Sequence, residues 1–95
     1  MRDYEVVLIV SPEVTEEDLG KVTEKVSQWI ADGGGEVSNV NPWGRRRMAY
    51  SIRGFGEGNY MAIRFRGTPG GLPELERSLK LAEEIIRYSL VRLGV

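Results

Sequence analysis

An α+β fold, with four strands and two helices in the order β-α-β-β-α-β, is what the sequence predicts, and three observations predict it. Extended segments with strand-like apolar patterning begin near Tyr4, Glu36, Tyr60 and Ile85. Between them lie two segments whose apolar residues recur at three to four residue spacing, Leu19 to Ile30 and Leu72 to Leu79. Glycine and proline clusters punctuate the joins, at Ser11-Pro12, Gly33-Gly34-Gly35 and Gly67 to Gly71.

The first strand runs from Tyr4 to Val10. Tyr4, Val6, Leu8 and Val10 share one face, and Val7 and Ile9 make the other apolar as well, which marks a central strand covered on both sides. Ser11-Pro12 ends it. Thr15 with Asp18 three residues on resembles a capping box, with Asp in place of the usual Glu or Gln, so the first helix starts there. Leu19, Val22, Val26, Trp29 and Ile30 form its buried stripe, and the three glycines stop it because glycine accepts the left-handed cap conformation.

A long second strand spans Glu36 to Arg53, with Pro42-Trp43-Gly44 expected as a bulge or bend. In its second half Met48, Tyr50 and Ile52 share the core parity, opposite Arg45, Arg47, Ala49, Ser51 and Arg53. Trp43 is either a core plug beside the first helix or an exposed contact, and the plug is expected because an indole gains most from burial; Tyr4 and Tyr50 are expected to pack internally. Gly54-Phe55-Gly56-Glu57-Gly58-Asn59 reads as a mobile loop closing a hairpin. In the third strand, Tyr60 to Arg66, Met61, Ile63 and Phe65 face the core, while Tyr60, Ala62, Arg64 and Arg66 face away. Pro73 near the start of the Leu72, Leu75, Leu79 stripe marks a second short helix. The last strand covers Ile85 to Leu93, with Ile86, Tyr88 and Leu90 alternating against Arg87, Ser89 and Val91. This order is the split βαβ, or ferredoxin-like, arrangement: a four-stranded antiparallel sheet with both helices on one face and the other face open.

Ninety-five residues without an internal repeat, 41% of them apolar, predict a single domain over residues 1–95. Such a chain buries only about two thirds of its unfolded surface, which leaves little core for a deep catalytic cavity and favours a binding module. Cysteine and histidine are both absent. Disulfides, thiolate or imidazole metal sites, cysteine nucleophiles and serine triads therefore lack their usual groups, and no cofactor or catalytic role is expected. With no cleavage pattern after Met1 and no apolar run approaching a membrane span, a soluble cytoplasmic protein is expected.

The net charge of −1 conceals a segregation of sign. Glu13 to Asp32 carries six acids against Lys21 and Lys25, whereas Trp43 to Arg66 carries six arginines, Arg45, Arg46, Arg47, Arg53, Arg64 and Arg66, against Glu57 alone. Ten of the thirteen basic residues are Arg. A guanidinium takes two phosphate oxygens at once, so the bias favours phosphate contact over simple solubility. The bland alternative is a charge cluster that protects a strand edge. On the open face, Tyr60 with Ala62, Val7 and Ile9 forms a small apolar patch suited to a protein partner; the RNP box of base-stacking sheets is absent from Gly58-Asn59-Tyr60-Met61-Ala62-Ile63-Arg64-Phe65.

Four segments carry a likeness to a known family: Met1-Arg2-Asp3-Tyr4-Glu5-Val6, Trp43-Gly44-Arg45-Arg46-Arg47-Met48-Ala49-Tyr50-Ser51-Ile52, Gly58-Asn59-Tyr60, and Leu79-Lys80-Leu81-Ala82-Glu83-Glu84-Ile85-Ile86-Arg87-Tyr88. In this order and essentially end to end, they resemble ribosomal protein six of the bacterial small subunit. The resemblance implies a structural protein that binds small-subunit ribosomal RNA in its central domain as a heterodimer with the eighteenth small-subunit protein, without catalysis and without a small-molecule substrate. It implies RNA contacts from Arg2, Arg45, Arg46, Arg47 and Arg87, to which the outward parity adds Arg53 and Arg64, and a partner face at Tyr60 and Ala62. Many family members carry a larger aromatic at that face where this chain has Ala62. The sequence ends at Val95, two residues past the expected last strand, so contacts of the longer tail of some relatives do not transfer.

Two other readings compete. A ligand-sensing or regulatory ferredoxin-like domain that self-associates needs a pocket. An acyl-phosphate hydrolase on this topology needs an Arg in the loop after the first strand, and Ser11-Pro12-Glu13-Val14 is acidic and has none.

Overall fold

The computed structural model describes residues 1–94. The elements are β1 (Arg2–Val10), α1 (Glu16–Asp32), β2 (Glu36–Ile52), β3 (Phe55–Gly67), a 3-10 turn (Pro69–Gly71), α2 (Leu72–Leu81) and β4 (Ile85–Arg92). They form one antiparallel sheet in the order β2-β3-β1-β4, with both helices against one face, the ferredoxin-like arrangement.

Two-sided apolarity places β1 in the interior of the sheet, where it pairs with β3 along its whole length and with β4 from Tyr4 to Val10. Its Val6, Leu8 and Val10 are fully buried against Val22, Val26 and Ile30 of α1 and Leu75 and Leu79 of α2, with Met61, Ile63 and Phe65 of β3 beside them. Tyr4 completes the core at the far end, its ring stacked on Phe65 with centroids 5.4 Å apart.

Half of the anticipated capping box forms: the Thr15 hydroxyl accepts from the Asp18 backbone N–H at 3.2 Å. Glu16, Glu17 and Asp18 set negative charge on the positive end of the helix dipole. At the other end Gly34, not Gly33, takes the left-handed conformation, with φ 84°. The second glycine cluster serves a different need. A Cβ on Gly71 would lie 2.6 Å from the Gly33 carbonyl oxygen, so the end of α1 and the start of α2 meet backbone to backbone.

Lys25 of α1 donates to Glu84 at 2.9 Å, and that bond holds the Glu84 carboxyl below its ordinary pKa, against the opposing effect of burial. Burial, and then the hydrogen bond to Glu76, push the Tyr88 hydroxyl above its ordinary value. Both groups lie on the helix side of the sheet, away from the arginine segment.

Two expectations are corrected. The stretch Gly54 to Asn59 is not a mobile loop: β3 begins at Phe55, and the hairpin closes through two residues, Arg53 and Gly54, with φ 54° and 81°. Those signs match a type I′ turn, whose twist agrees with that of the strands. Gly58 belongs to the strand because Ile9 lies against it; an added Cβ would sit 2.5 Å from the Ile9 Cγ2. The second correction concerns β4. A bulge between Ile9 and Val10 lets Ile85 take the core position and turns Ile86 toward Gly58 and Ile9, so Ile85, Tyr88 and Leu90 share the helix side.

Two substitutions of opposite sign check these assignments by urea denaturation. Arg53→Asn is expected to stabilise the chain by about 0.5 to 1 kcal/mol, because Asn tolerates positive φ where a long side chain is disfavoured. Gly71→Ala is expected to destabilise it by about 1 to 3 kcal/mol, since a backbone oxygen cannot rotate out of the way.

Candidate nucleic-acid interface

The last β1–β3 pair is Val10↔Asn59, yet the β2–β3 hairpin continues to Ile52↔Phe55, roughly 14 Å further at the rise of a strand. Beyond that pair, among the described residues, β3 has no strand neighbour on its β1 side. Its base is fixed by the buried Asn59 amide, which donates to the Ser11 carbonyl at 3.1 Å. Its flank is tied to the opposite edge of the sheet by Arg87 of β4, which donates to the Tyr50 hydroxyl at 2.8 Å. Tyr50 is therefore not a core residue: 63% of it is exposed, because no core exists beneath this part of β2.

The structure sorts the six arginines of the basic segment. Arg45 pairs with Glu57 at 3.3 Å and also donates to the Pro12 carbonyl. On the open face Arg64 pairs with Glu5 at 3.0 Å and Arg66 with Asp3 at 3.6 Å, each a cross-strand β1–β3 partner. Among the described residues, no carboxylate lies within ion-pair distance of Arg46, Arg47 or Arg53. All three are on the projecting hairpin, where their guanidiniums remain available to an external anion.

Other candidates divide by position. Arg87 lies opposite Ile9, near the hairpin base, and joins the cluster through Tyr50. Arg2 pairs opposite Gly67, eight residues down β1 from Val10 and roughly 26 Å away, so it is not brought to the same site. Of the apolar patch on the open face, Val7 and Tyr60 are half-buried and offer surface, whereas Ile9 is 9% exposed and Ala62 only 3%. Ala62 is small and sits between Val7 and Asn41 on the adjoining strands, so taller neighbours cover it.

Trp43 was expected to plug the core beside α1. The bulge between Pro42 and Gly44 instead leaves it unpaired in the ladder, 37% exposed, with its ring 6.5 Å from that of Tyr60 and tilted by 16°. The guanidinium carbon of Arg46 lies 5.5 Å from the indole centroid. Sequence reasoning missed this cluster, although the bulge-forming Pro-Trp-Gly and the arginine three residues on were its signal. A cavity of about 800 Å³ adjoins this region, between α1 and β2, lined by Leu19, Val40, Pro42, Arg45, Tyr60 and Met61.

The fold and this site together define a ferredoxin-like protein with one sheet face free of helices and an arginine-bearing hairpin running past its core. Comparison with known proteins narrows the class. The family model described as ribosomal protein S6 matches residues 3–92. Small ribosomal subunit protein bS6 of Moorella thermoacetica is 46% identical over 93 residues, covering 98% of this chain and 95% of that protein. The bS6 protein of Dictyoglomus turgidum is 44% identical, covering 98% of this chain and 96% of the relative. The crystal structure of 30S ribosomal protein S6 from Thermotoga maritima superposes with a TM-score of 0.90 at 37% identity, covering 96% of this chain and 86% of that one. The chain belongs to the ribosomal protein S6 family of the small ribosomal subunit. That membership confirms the resemblance carried by the Trp43 to Ile52 segment.

Arg46 and Arg47 are exposed and make no ion pair. Replacing both with Ala is accordingly expected to change the unfolding free energy by no more than about 1 kcal/mol, roughly 0.5 per surface site, as read from the urea midpoint. A larger loss would mark them as structural.

Proposed function

We propose that this chain is a structural, non-catalytic protein of the small ribosomal subunit that binds the central domain of its ribosomal RNA, in the cytoplasm, as a heterodimer with the eighteenth small-subunit protein. Family membership supports the ribosomal setting. The observation that carries the RNA reading is the set of three guanidiniums, Arg46, Arg47 and Arg53, without carboxylate partners on a hairpin beyond the core. Arginines left unpaired on a surface repel one another and gain from a polyanion that crosses all of them.

In this reading Arg46, Arg47 and Arg53 meet phosphates first, with Arg45 and Arg87 joining from their internal partners. Arg64 contributes less because Glu5 already neutralises it, and Arg2 contributes only to RNA that reaches the far end of β1. The protein partner takes the open face at Val7 and Tyr60, with Ile9 and Ala62 as the level floor between them. The domain acts as one unit over residues 1–95. The ligand-sensing alternative has a cavity available between α1 and β2, which reaches Tyr60 and Arg45, but the family comparisons favour the ribosomal reading.

The test is a titration of a central-domain RNA fragment with the purified chain, alone and with the eighteenth protein, across a salt series. Three phosphate contacts predict a slope of log affinity against log salt of roughly −2 to −3, at 0.7 to 0.9 per contact. Binding that ignores salt would remove the phosphate mechanism, and no binding in either mixture would remove the RNA reading.

A further inference from the structure

Among the described residues of the basic segment, Arg46 is the arginine that both lacks a carboxylate partner and lies over an aromatic ring. Arg47 pairs opposite Glu57 on the other side of the strand, and Arg53 occupies the turn. Arg46 pairs opposite Gly58, so it rises on the same face as Tyr60, two residues along β3. The bulge at Trp43 delivers the indole to that face as well, next to Tyr60.

Physical chemistry gives this arrangement a consequence. A guanidinium attracted to an indole face keeps its donors in its own plane, and those not turned toward the protein remain open to solvent. Two of those donors then match two oxygens of one phosphate. A free arginine on an exposed strand must lose rotamer freedom to reach the same pose, whereas one already seated on a ring has lost much of it before the anion arrives. Trp43 is also poorly explained by burial, being 37% exposed.

We propose that Trp43 is a positioning residue for RNA binding: it seats the Arg46 guanidinium so that its free edge grips a single phosphate through two hydrogen bonds. This rests on the reading that the hairpin binds RNA. Trp43 in this role touches Arg46 and not the RNA, and Tyr60 holds the indole in place.

A double-mutant cycle on the full chain, with a central-domain RNA fragment as the probe, decides it. Arg46→Ala is expected to weaken binding by about 10-fold or more, as loss of a charge-assisted pair does, and to reduce the salt slope by about 0.7 to 0.9. Trp43→Leu is expected to weaken it by about 2- to 5-fold with the slope unchanged, because the charge remains while its pose is lost. The double variant should bind as Arg46→Ala does. Arg46→Lys, which keeps the charge without the fork, should keep the slope and still lose affinity.

Trp43→Phe, which keeps an aromatic face, should retain most of the affinity; if the Leu variant does not fold, Trp43→Thr, non-aromatic and uncharged, replaces it in the same cycle. A neutral Trp43→Leu overturns the proposal, as does a further loss when it is added to Arg46→Ala, since that would mean the indole contacts RNA directly. In both cases the wild-type chain still binds RNA and the broader reading stands. A wild-type chain that binds no RNA, with or without the eighteenth protein, overturns both.

Discussion

Most of what distinguishes this molecule follows from a mismatch of strand lengths. β1 has nine residues and both central-strand partners, whereas β2 has seventeen and β3 thirteen. Where β1 stops at Val10, the sheet loses its middle, and the helices that cover it have no reason to extend further. The hairpin that continues past this point has water on both faces over much of its length, so hydrophobic side chains would gain nothing there and arginines are tolerated without desolvation. A long, otherwise unprotected edge is also kept from pairing with other chains by those charges, by Pro42 and by the bulge at Trp43.

The same boundary divides the electrostatics. Over the part of the sheet that has β1 in it, arginines on the open face find acids on the neighbouring strand, Arg64 with Glu5 and Arg66 with Asp3. These exposed pairs contribute little to stability, about 0.2 to 1 kcal/mol each. Their larger effect is to remove charge from the face between the edges. Past the end of β1 the supply of partner acids falls to Glu57, which Arg45 takes. Positive potential is thereby concentrated on the hairpin, even though the chain as a whole carries a net charge of −1.

A projecting hairpin presents a geometric problem, because two strands without a third are marginal in water. Here its root is set from both sides. Asn59 bonds the loop that follows β1, and the Ser11 N–H bonds the Glu84 carbonyl at 2.8 Å, so the β1 exit, the β4 entry and the hairpin base are joined. Arg87 reaches Tyr50 from the far edge. The type I′ turn closes the tip with the twist that the strands require. The indole, Tyr60 and Arg46 add packing on one face, and the Arg45–Glu57 pair ties the strands on the other.

Sequence alone determined the order of elements, both helix stripes, the Thr15 cap, the bend at Pro42-Trp43-Gly44 and the family, because each depends on local periodicity, on turn chemistry or on residues that stand in a fixed order. It also placed the basic segment, since charge is read without a fold. It did not determine which arginines are free: pairing Glu5 with Arg64 joins positions fifty-nine residues apart, and only sheet register brings them together. Nor could it place Trp43, expected inside because an indole gains from burial, or Tyr50, whose parity pointed inward, because neither signal says whether a core lies there. Glycine spacing suggested a loop from Gly54 to Asn59, where β3 in fact uses Gly58 to admit Ile9. Burial and pairing over long separations are properties of the assembled sheet, so the length at which β1 ends, visible only in three dimensions, decided where the core stops and the candidate interface begins.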